Sequence, residues 1–124
     1  MFKIDIHTHI LPGDLNELTK TFSDPRFLQL DKLDEQNAIL KKDQQSFRKV
    51  GCNCWHAPER IKDCNKTDVD MQVLSTIPVL FSYWADDAEC LKLSQFLNDH
   101  ISHIVRENPE YFLGLGTIPM QNTD

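Results

Sequence analysis

The stretch Ile4-Asp5-Ile6-His7-Thr8-His9 decides how the rest of the chain is interpreted. Isoleucines that alternate with polar residues predict a β-strand, in which residues i and i+2 point to the same face. Both imidazoles can therefore reach one point in space. Imidazole nitrogen is a preferred zinc ligand, but a zinc site takes three or four protein ligands. The pair therefore supplies at most half of a metal site.

The alternative is that both histidines are partly exposed or satisfied by hydrogen bonds. Two features favour a metal role. The pair follows the first strand of the chain directly, and Ile10-Leu11-Pro12 makes an abrupt exit from that strand. A buried strand also normally carries Val, Ile and Leu where these histidines stand.

The composition narrows the class of protein. The 124 residues, 40% apolar and 26% charged, suit one globular domain or less. A formal charge of −6 argues against a non-specific nucleic-acid or membrane binder, which needs a basic field. No apolar run approaches the roughly 18 residues of a membrane span, and the early strand leaves no room for a signal peptide. Because the four cysteines (52, 54, 64 and 90) lack framework spacing, we expect reduced thiols in the cytosol.

The segment 14–55 is too long for a simple strand-to-helix loop, so we expect an insertion subdomain placed over the end of the first strand. Trp55 should pack this insertion down. Cys52 and Cys54 invite a metal interpretation, but no second pair completes it, and buried or idle thiols are favoured. The elements expected inside the insertion are a short helix over 15–22 and strands over 27–30, 38–42 and 46–50, with helix an alternative for part of it.

After the insertion, helices and strands alternate. The expected elements are a helix over 57–66, a strand over 69–78, a helix over 86–108 and a strand over 111–120. Such alternation implies parallel strands with helical crossovers. A full barrel of this kind takes about 250 residues. The chain should therefore supply about three barrel strands and leave an open sheet edge with exposed apolar surface.

Four smaller features of the sequence lead to further predictions. Asp86 should cap the long helix, with Glu89 completing a capping box. His100 and His103 are spaced to share a metal but have no third ligand nearby, so we interpret them as surface or boundary residues. The aromatic loop 79–85 is either a core or interface patch or the wall of a substrate pocket. The pair Gly114-x-Gly116 is not a dinucleotide loop, because no third glycine follows at the right step.

The opening Asp5-Ile6-His7-Thr8-His9 resembles the first-strand signature of the amidohydrolase superfamily. Over its whole length the chain resembles one family within it, the aminocarboxymuconate semialdehyde decarboxylases of tryptophan–kynurenine catabolism. The stretch Phe81-Ser82-Tyr83-Trp84-Ala85 is far more specific than the histidine pair. The matching stretches are 3–12, 47–48, 53–55, 74–79, 81–85 and 114–121.

That resemblance implies an α/β fold, the N-terminal portion of a (β/α)8 TIM barrel with a small insertion after the first strand. It implies a Zn²⁺ ion bound by His7 and His9, together with a His and an Asp beyond this chain. It implies that Arg48 pairs with a substrate carboxylate and that Lys42 lies at the mouth of the pocket. No catalytic residue is expected within the chain, because the general-base histidine should lie downstream.

The reaction implied is the non-oxidative decarboxylation of 2-amino-3-carboxymuconate 6-semialdehyde, which limits quinolinate formation. A small-molecule substrate is expected, with no nucleic-acid or membrane partner and a homodimer in the full-length form. With only two zinc ligands, this chain alone should have little or no activity. The alternatives are another metal hydrolase of the superfamily, acting on an amide or ring, and a non-catalytic short isoform that binds the full-length enzyme.

Two positions depart from the family pattern. Asp68 stands where the family usually has Gly before the second barrel strand, and Asn65 stands where it usually has an acidic residue. These departures put the geometry of the local turn in question rather than the resemblance itself.

Overall fold

The computed structural model describes residues 1–122, and these form two three-stranded sheets and three α-helices. The strands are β1 (Ile4–Ile10), β2 (Gln29–Lys32), β3 (Asn37–Lys42), β4 (Gln45–Gly51), β5 (Met71–Thr76) and β6 (Phe112–Gly114). The helices are α1 (Leu15–Thr19), α2 (Ala57–Thr67) and α3 (Asp87–Glu107), and single 3-10 turns cover Cys52–Cys54 and Pro78–Leu80.

One sheet is parallel, with strand order β1-β5-β6. α2 precedes β5 and α3 connects β5 to β6, so the helical crossovers fall where the alternation predicted them. The register aligns Ile4 with Met71 and His9 with Ser75, with an irregularity between Asp5 and Thr8. The prediction of three parallel barrel strands is confirmed.

The third barrel strand is shorter than the prediction of 111–120, since β6 ends at Gly114. A side chain of α3 takes over the main-chain partners further along. The Asn98 amide donates to the Thr117 carbonyl oxygen at 2.9 Å, and the Thr117 N–H donates to Asn98 Oδ1 at 2.8 Å. The Leu115 N–H still donates to the Leu74 carbonyl oxygen of β5 at 2.9 Å, and at Thr117 the main chain bonds to α3 instead.

The other sheet is antiparallel, ordered β2-β3-β4, and lies entirely within residues 14–55, the segment predicted to be an insertion and called the insertion below. The β3–β4 hairpin turns through Asp43 and Gln44, which both have positive φ, 51° and 60°, as a tight hairpin turn requires. The predicted helix over 15–22 is wrong beyond Thr19. The Thr19 hydroxyl bonds back to the Leu15 carbonyl, and such back-bonding favours turns over continued helix.

The buried side chains form two clusters. The larger joins the insertion to the 3-10 turn at residues 78–80 and to α3, and Trp55 packs against it as predicted. The smaller lies between the parallel sheet and its helices and includes Ile10, Leu74, Ile101 and Phe112. The insertion is therefore fixed to the barrel portion through a shared apolar core.

The long helix α3 begins as predicted but without the full capping box. The Asp86 carboxylate accepts hydrogen bonds from the N–H groups of Ala88 and Glu89. The Glu89 carboxylate does not return to residue 86. It accepts instead from the N–H and hydroxyl of Ser23, so the expected reciprocal cap is replaced by a bond to the insertion.

Both edges of the parallel sheet are open in the described residues, as expected for part of a barrel. Ile4 and Ile6 on β1 are 47% and 76% exposed, and Leu113 on β6 is 48% exposed. A strand edge and apolar side chains of this kind are normally covered in a complete fold. Within residues 1–122, no helix combines the length and apolar character needed to cross a membrane.

Candidate active site

The two histidines of β1 lie together, as the strand period predicts. The His7 and His9 ring centroids are 5.1 Å apart and the rings meet edge to face. His7 is exposed and His9 is half-buried. Two imidazoles at this separation can present nitrogen donors to one ion.

His9 is held from two sides. Its Nδ1 lies 2.9 Å from Ser75 Oγ, and its main-chain carbonyl oxygen accepts a hydrogen bond from Arg60 Nη1 at 2.9 Å. Sequence reasoning missed both partners. Ser75 could have been found from register alone, because it lies near the end of the neighbouring parallel strand, directly opposite His9.

Arg60, on α2, connects the insertion to the barrel portion. Its guanidinium also donates to the Asn53 carbonyl oxygen at 2.9 Å and to Gln72 Oε1 at 3.1 Å. Burial lowers the pKa of Arg60 from its usual value. Within residues 1–122 its hydrogen-bond acceptors are neutral oxygens, and two of them are the carbonyl oxygens of His9 and Asn53, so the side chain fixes the main chain at these two points.

A cavity of about 600 Å³ lies between the end of β1 and the insertion sheet. His9 and Arg48 both line it, with Phe47 beside Arg48. Arg48 reaches the cavity from β4, where it pairs in register with Leu40. The structure thus brings the candidate metal ligand and the candidate carboxylate-binding arginine to one cavity.

Lys42 lies apart from this pair. It ends β3 next to the hairpin turn, is half-buried, and pairs in register with Gln45. It is not among the residues that line the cavity shared by His9 and Arg48. Its place at the mouth of the pocket stays a prediction.

The aromatic loop 79–85 fits both predicted roles, pocket wall and core patch, in different residues. Phe81 and Tyr83 stack at 5.5 Å and line a second cavity of about 270 Å³ that His9 and Ser75 also line. Trp84 instead packs on Phe27 of the insertion, with a centroid distance of 5.0 Å. The loop is thus in part a cavity wall beside His9 and in part a core contact.

The other possible metal ligands are placed elsewhere. Among residues 1–122 no group of three or more His, Cys, Asp or Glu side chains is arranged to bind a metal. Cys52 Sγ contacts Gln36 Oε1 at 3.0 Å, and burial raises the pKa of the Cys54 thiol, which disfavours the thiolate needed for a ligand. His103 is exposed and lies 3.4 Å from Glu107, and His100 is half-buried, which agrees with their interpretation as surface or boundary residues.

The residues present fit a metal site in part. Two imidazoles are brought together, and Nδ1 of His9 lies within hydrogen-bond distance of Ser75 Oγ. Further ligands do not come from the described chain. A complete three- or four-ligand metal site here needs protein donors from outside residues 1–122.

The fold has known structural counterparts. A protein from Staphylococcus aureus assigned as an amidohydrolase matches with a TM-score of 0.62 and 21% identity, over 98% of this chain and 30% of its own. The 5-carboxyvanillate decarboxylase of Novosphingobium aromaticivorans, solved with manganese and 4-hydroxy-3-methoxy-5-nitrobenzoic acid, matches with a TM-score of 0.67 and 16% identity, over 97% of this chain and 34% of its own. The fold is therefore that of part of a (β/α)8 barrel.

Sequence comparison identifies the relatives more narrowly. The chain is 46% identical over 122 residues to the 2-amino-3-carboxymuconate-6-semialdehyde decarboxylase of Dictyostelium discoideum, and 38% identical over 120 residues to that of Caenorhabditis elegans. Nearly all of this chain is therefore similar in sequence to part of these decarboxylases. It spans about a third of these relatives, 34% and 30% of their lengths. No family model matches the chain.

Proposed function

We propose that this chain forms part of the active site of a metal-dependent decarboxylase that acts on 2-amino-3-carboxymuconate 6-semialdehyde. The observation that carries the proposal is the shared cavity, in which Arg48 faces the space beside His9. The homology to decarboxylases of that name supports the choice of substrate. The product is 2-aminomuconate 6-semialdehyde, and the reaction belongs to cytosolic tryptophan–kynurenine catabolism, where it limits quinolinate formation.

In this proposal His7 and His9 hold a Zn²⁺ ion together with donors from outside the described chain. A bound zinc supplies Lewis acidity and lowers the pKa of a coordinated water. The manganese in the related 5-carboxyvanillate decarboxylase makes a divalent ion the class to test first. The isolated 124-residue chain, with two ligands, is expected to be inactive or nearly so.

Arg48 orients the substrate in this scheme. Its planar guanidinium offers two parallel donors that match a carboxylate. Arg48 is exposed, and apolar residues, among them Leu11 and Ile77, line the same cavity. Fixing one carboxylate positions the rest of a small dicarboxylate beside His9, and such orientation is a recognised source of rate enhancement.

The first experiment measures the zinc content of the purified chain and assays decarboxylation on the same sample. We expect weak zinc binding that is lost in His9→Gln, and no appreciable turnover. Near one zinc per chain with turnover would mean that other groups, for instance from a second copy, complete the site. Zinc binding unchanged in both His7→Gln and His9→Gln would overturn the metal assignment.

Arg48 is tested by binding of muconate, a stable dicarboxylate, followed by NMR. Loss of a charge-assisted hydrogen bond of about 1.5–3 kcal/mol predicts that Arg48→Gln weakens binding about 10- to 100-fold. Arg106→Gln removes an exposed arginine near the end of α3 and should change nothing. Lys42→Gln measures the separate contribution of the lysine to muconate binding. Equal affinity in Arg48→Gln and the parent chain would contradict the carboxylate-binding role.

The open edges of β1 and β6 favour a second proposal, that the chain associates with further barrel strands of the same kind of protein. Ile4, Ile6 and Leu113 are the exposed side chains it would cover. Co-purification with a long form of the enzyme would support this, and a monomeric chain with no affinity for that form would refute it.

A further inference from the structure

We propose that Ser75 is a positioning residue that holds His9 as the Nδ1–H tautomer and so leaves Nε2 as the metal-binding nitrogen. The effect of Ser75 on metal binding rests on the proposed metal site, whereas the tautomer of His9 follows from the hydrogen-bond geometry alone. It concerns a residue on β5, outside the histidine motif, and follows from counting the protons that one hydroxyl group has to share.

Ser75 Oγ makes two contacts at hydrogen-bond distance. It lies 2.9 Å from the main-chain carbonyl oxygen of Thr8 and 2.9 Å from Nδ1 of His9. A carbonyl oxygen can only accept, whereas a serine hydroxyl has one proton to donate and lone pairs that can accept. The hydroxyl proton therefore belongs to the contact with Thr8.

The tautomer of His9 follows from that assignment. If Nδ1 carried a lone pair, it would compete with the Thr8 carbonyl oxygen for the single Ser75 proton. In one of the two contacts, two lone pairs would then face and repel each other. If Nδ1 carries the proton, the chain His9 Nδ1–H to Ser75 Oγ, and Ser75 Oγ–H to Thr8 O, satisfies every group. Since a neutral imidazole has one N–H, the ring then offers its lone pair at Nε2.

The strand register fixes Ser75 in this position. His9 and Ser75 are register partners in the parallel pair β1–β5, and the adjacent Thr8 is held to β5 by its own hydroxyl, which donates to the Val73 carbonyl oxygen at 2.9 Å. The two atoms that Ser75 bonds therefore move with the same strand. A hydrogen bond of this kind to a ligand histidine selects the tautomer and the orientation of the ring.

His7 has no comparable support in the described residues. Its main-chain N–H donates to Asp5 Oδ1 at 3.1 Å, and this bond does not orient the ring. His9 is therefore the pre-oriented member of the pair. Ser75 should affect metal binding through His9 although it is not a ligand itself.

The tautomer can be read directly, without metal, from the ¹⁵N shifts of the His9 ring in long-range ¹H–¹⁵N NMR spectra of the 124-residue chain. Spectra recorded at about pH 8.5, two units above the usual imidazole pKa, report the neutral ring. We expect a protonated Nδ1 and an unprotonated Nε2. Ser75→Ala should move the ring toward the Nε2–H form that free imidazole side chains prefer, Ser75→Thr should restore Nδ1–H, and Ser94→Ala, a serine on α3, should have no effect.

Zinc affinity, measured by competition with a chromophoric chelator, gives the second readout. Loss of a partner that orients a ligand histidine typically weakens metal binding about 10- to 100-fold, and we expect that loss in Ser75→Ala with recovery in Ser75→Thr. An Nε2–H ring in the parent chain would overturn the inference without need of any variant. So would a tautomer and zinc affinity that Ser75→Ala leaves unchanged.

The two proposals fail separately. If zinc binds equally well to His9→Gln and to the parent chain, the metal site is wrong while the tautomer result for Ser75 still stands. If zinc binds through His9 but Ser75→Ala leaves the tautomer as it was, the metal site survives and the role of Ser75 is refuted.

Discussion

Arg60 Nη1 donates to the carbonyl oxygen of His9, a residue 51 positions earlier in the chain, at 2.9 Å. The same nitrogen donates to the carbonyl oxygen of Asn53, where the insertion returns to the barrel portion. One side chain thus fixes the main chain of a candidate metal ligand relative to the insertion that carries Arg48. The spacing of the two functional groups depends on this link.

Replacing Arg60 by Met should destabilise the chain. The change keeps most of the apolar stem but leaves two carbonyl groups without their donor, at a cost of about 1–3 kcal/mol. Urea unfolding followed by fluorescence of the two tryptophans measures it. Lys62→Met is the matched control on α2. Lys62 pairs with Glu59 at the surface, so this variant should unfold like the parent chain. An unchanged midpoint in Arg60→Met would show that water replaces the guanidinium without loss.

Asp68 is the family departure that the structure explains. It ends α2 in the left-handed region, with φ 53° and ψ 40°, a conformation that glycine adopts without a Cβ penalty. The turn therefore has a backbone geometry that suits glycine, and the Cβ of Asp68 makes this conformation less favourable.

Asp68→Gly should raise the free energy of unfolding by up to about 1 kcal/mol, since the left-handed conformation costs an L-residue about 1–2 kcal/mol. Lys66→Gly, two residues earlier within α2, should lower it by about 0.5–1 kcal/mol. Urea midpoints of the two variants should shift in opposite directions. Shifts of the same sign would contradict this account of the turn.

Gly114 is required because α3 approaches β6 closely. A Cβ built at this position meets Ile101 Cγ2 at 2.6 Å and Val105 Cγ2 at 3.3 Å. Gly114→Ala should therefore destabilise by about 1–3 kcal/mol, as overpacking of a core does. Gly51→Ala, whose Cβ would meet its nearest atom at 3.4 Å, is the control in thermal unfolding. Equal melting temperatures for the two variants would mean that α3 shifts freely.

His100 should make stability depend on pH. Burial lowers the pKa of this half-buried histidine below its usual value of 6.5, so the unfolded chain binds a proton more readily than the folded chain. The contribution of the neutral His100 to the free energy of unfolding is fully present above pH 6.5. It is lost as the pH falls through the lower pKa of the folded state.

Unfolding by urea at a series of pH values tests this dependence. His100→Gln should lose less stability than the parent chain on acidification below pH 6.5, whereas His56→Gln, at an exposed histidine, should follow the parent curve. Parallel curves for His100→Gln and the parent would show that the imidazole is solvated when charged.

The sequence by itself determined the local elements and the histidine pair. Strand alternation placed His7 and His9 on one face, the three- and four-residue apolar spacing located α3, and the alternation of helices and strands gave a parallel sheet. These features depend on neighbours within a few residues, so the periods of 2.0 and 3.6 residues are enough to predict them.

Only the tertiary structure decided what surrounds His9. Ser75 and Arg60 reach it across 66 and 51 residues, Asn98 ends β6 early by bonding Thr117, and Glu89 bonds the insertion rather than its own cap. Each is a hydrogen bond between side chains or main-chain groups that local periodicity does not relate. Their partners are selected by strand register and by the packing of the insertion, and these exist only once the chain has folded.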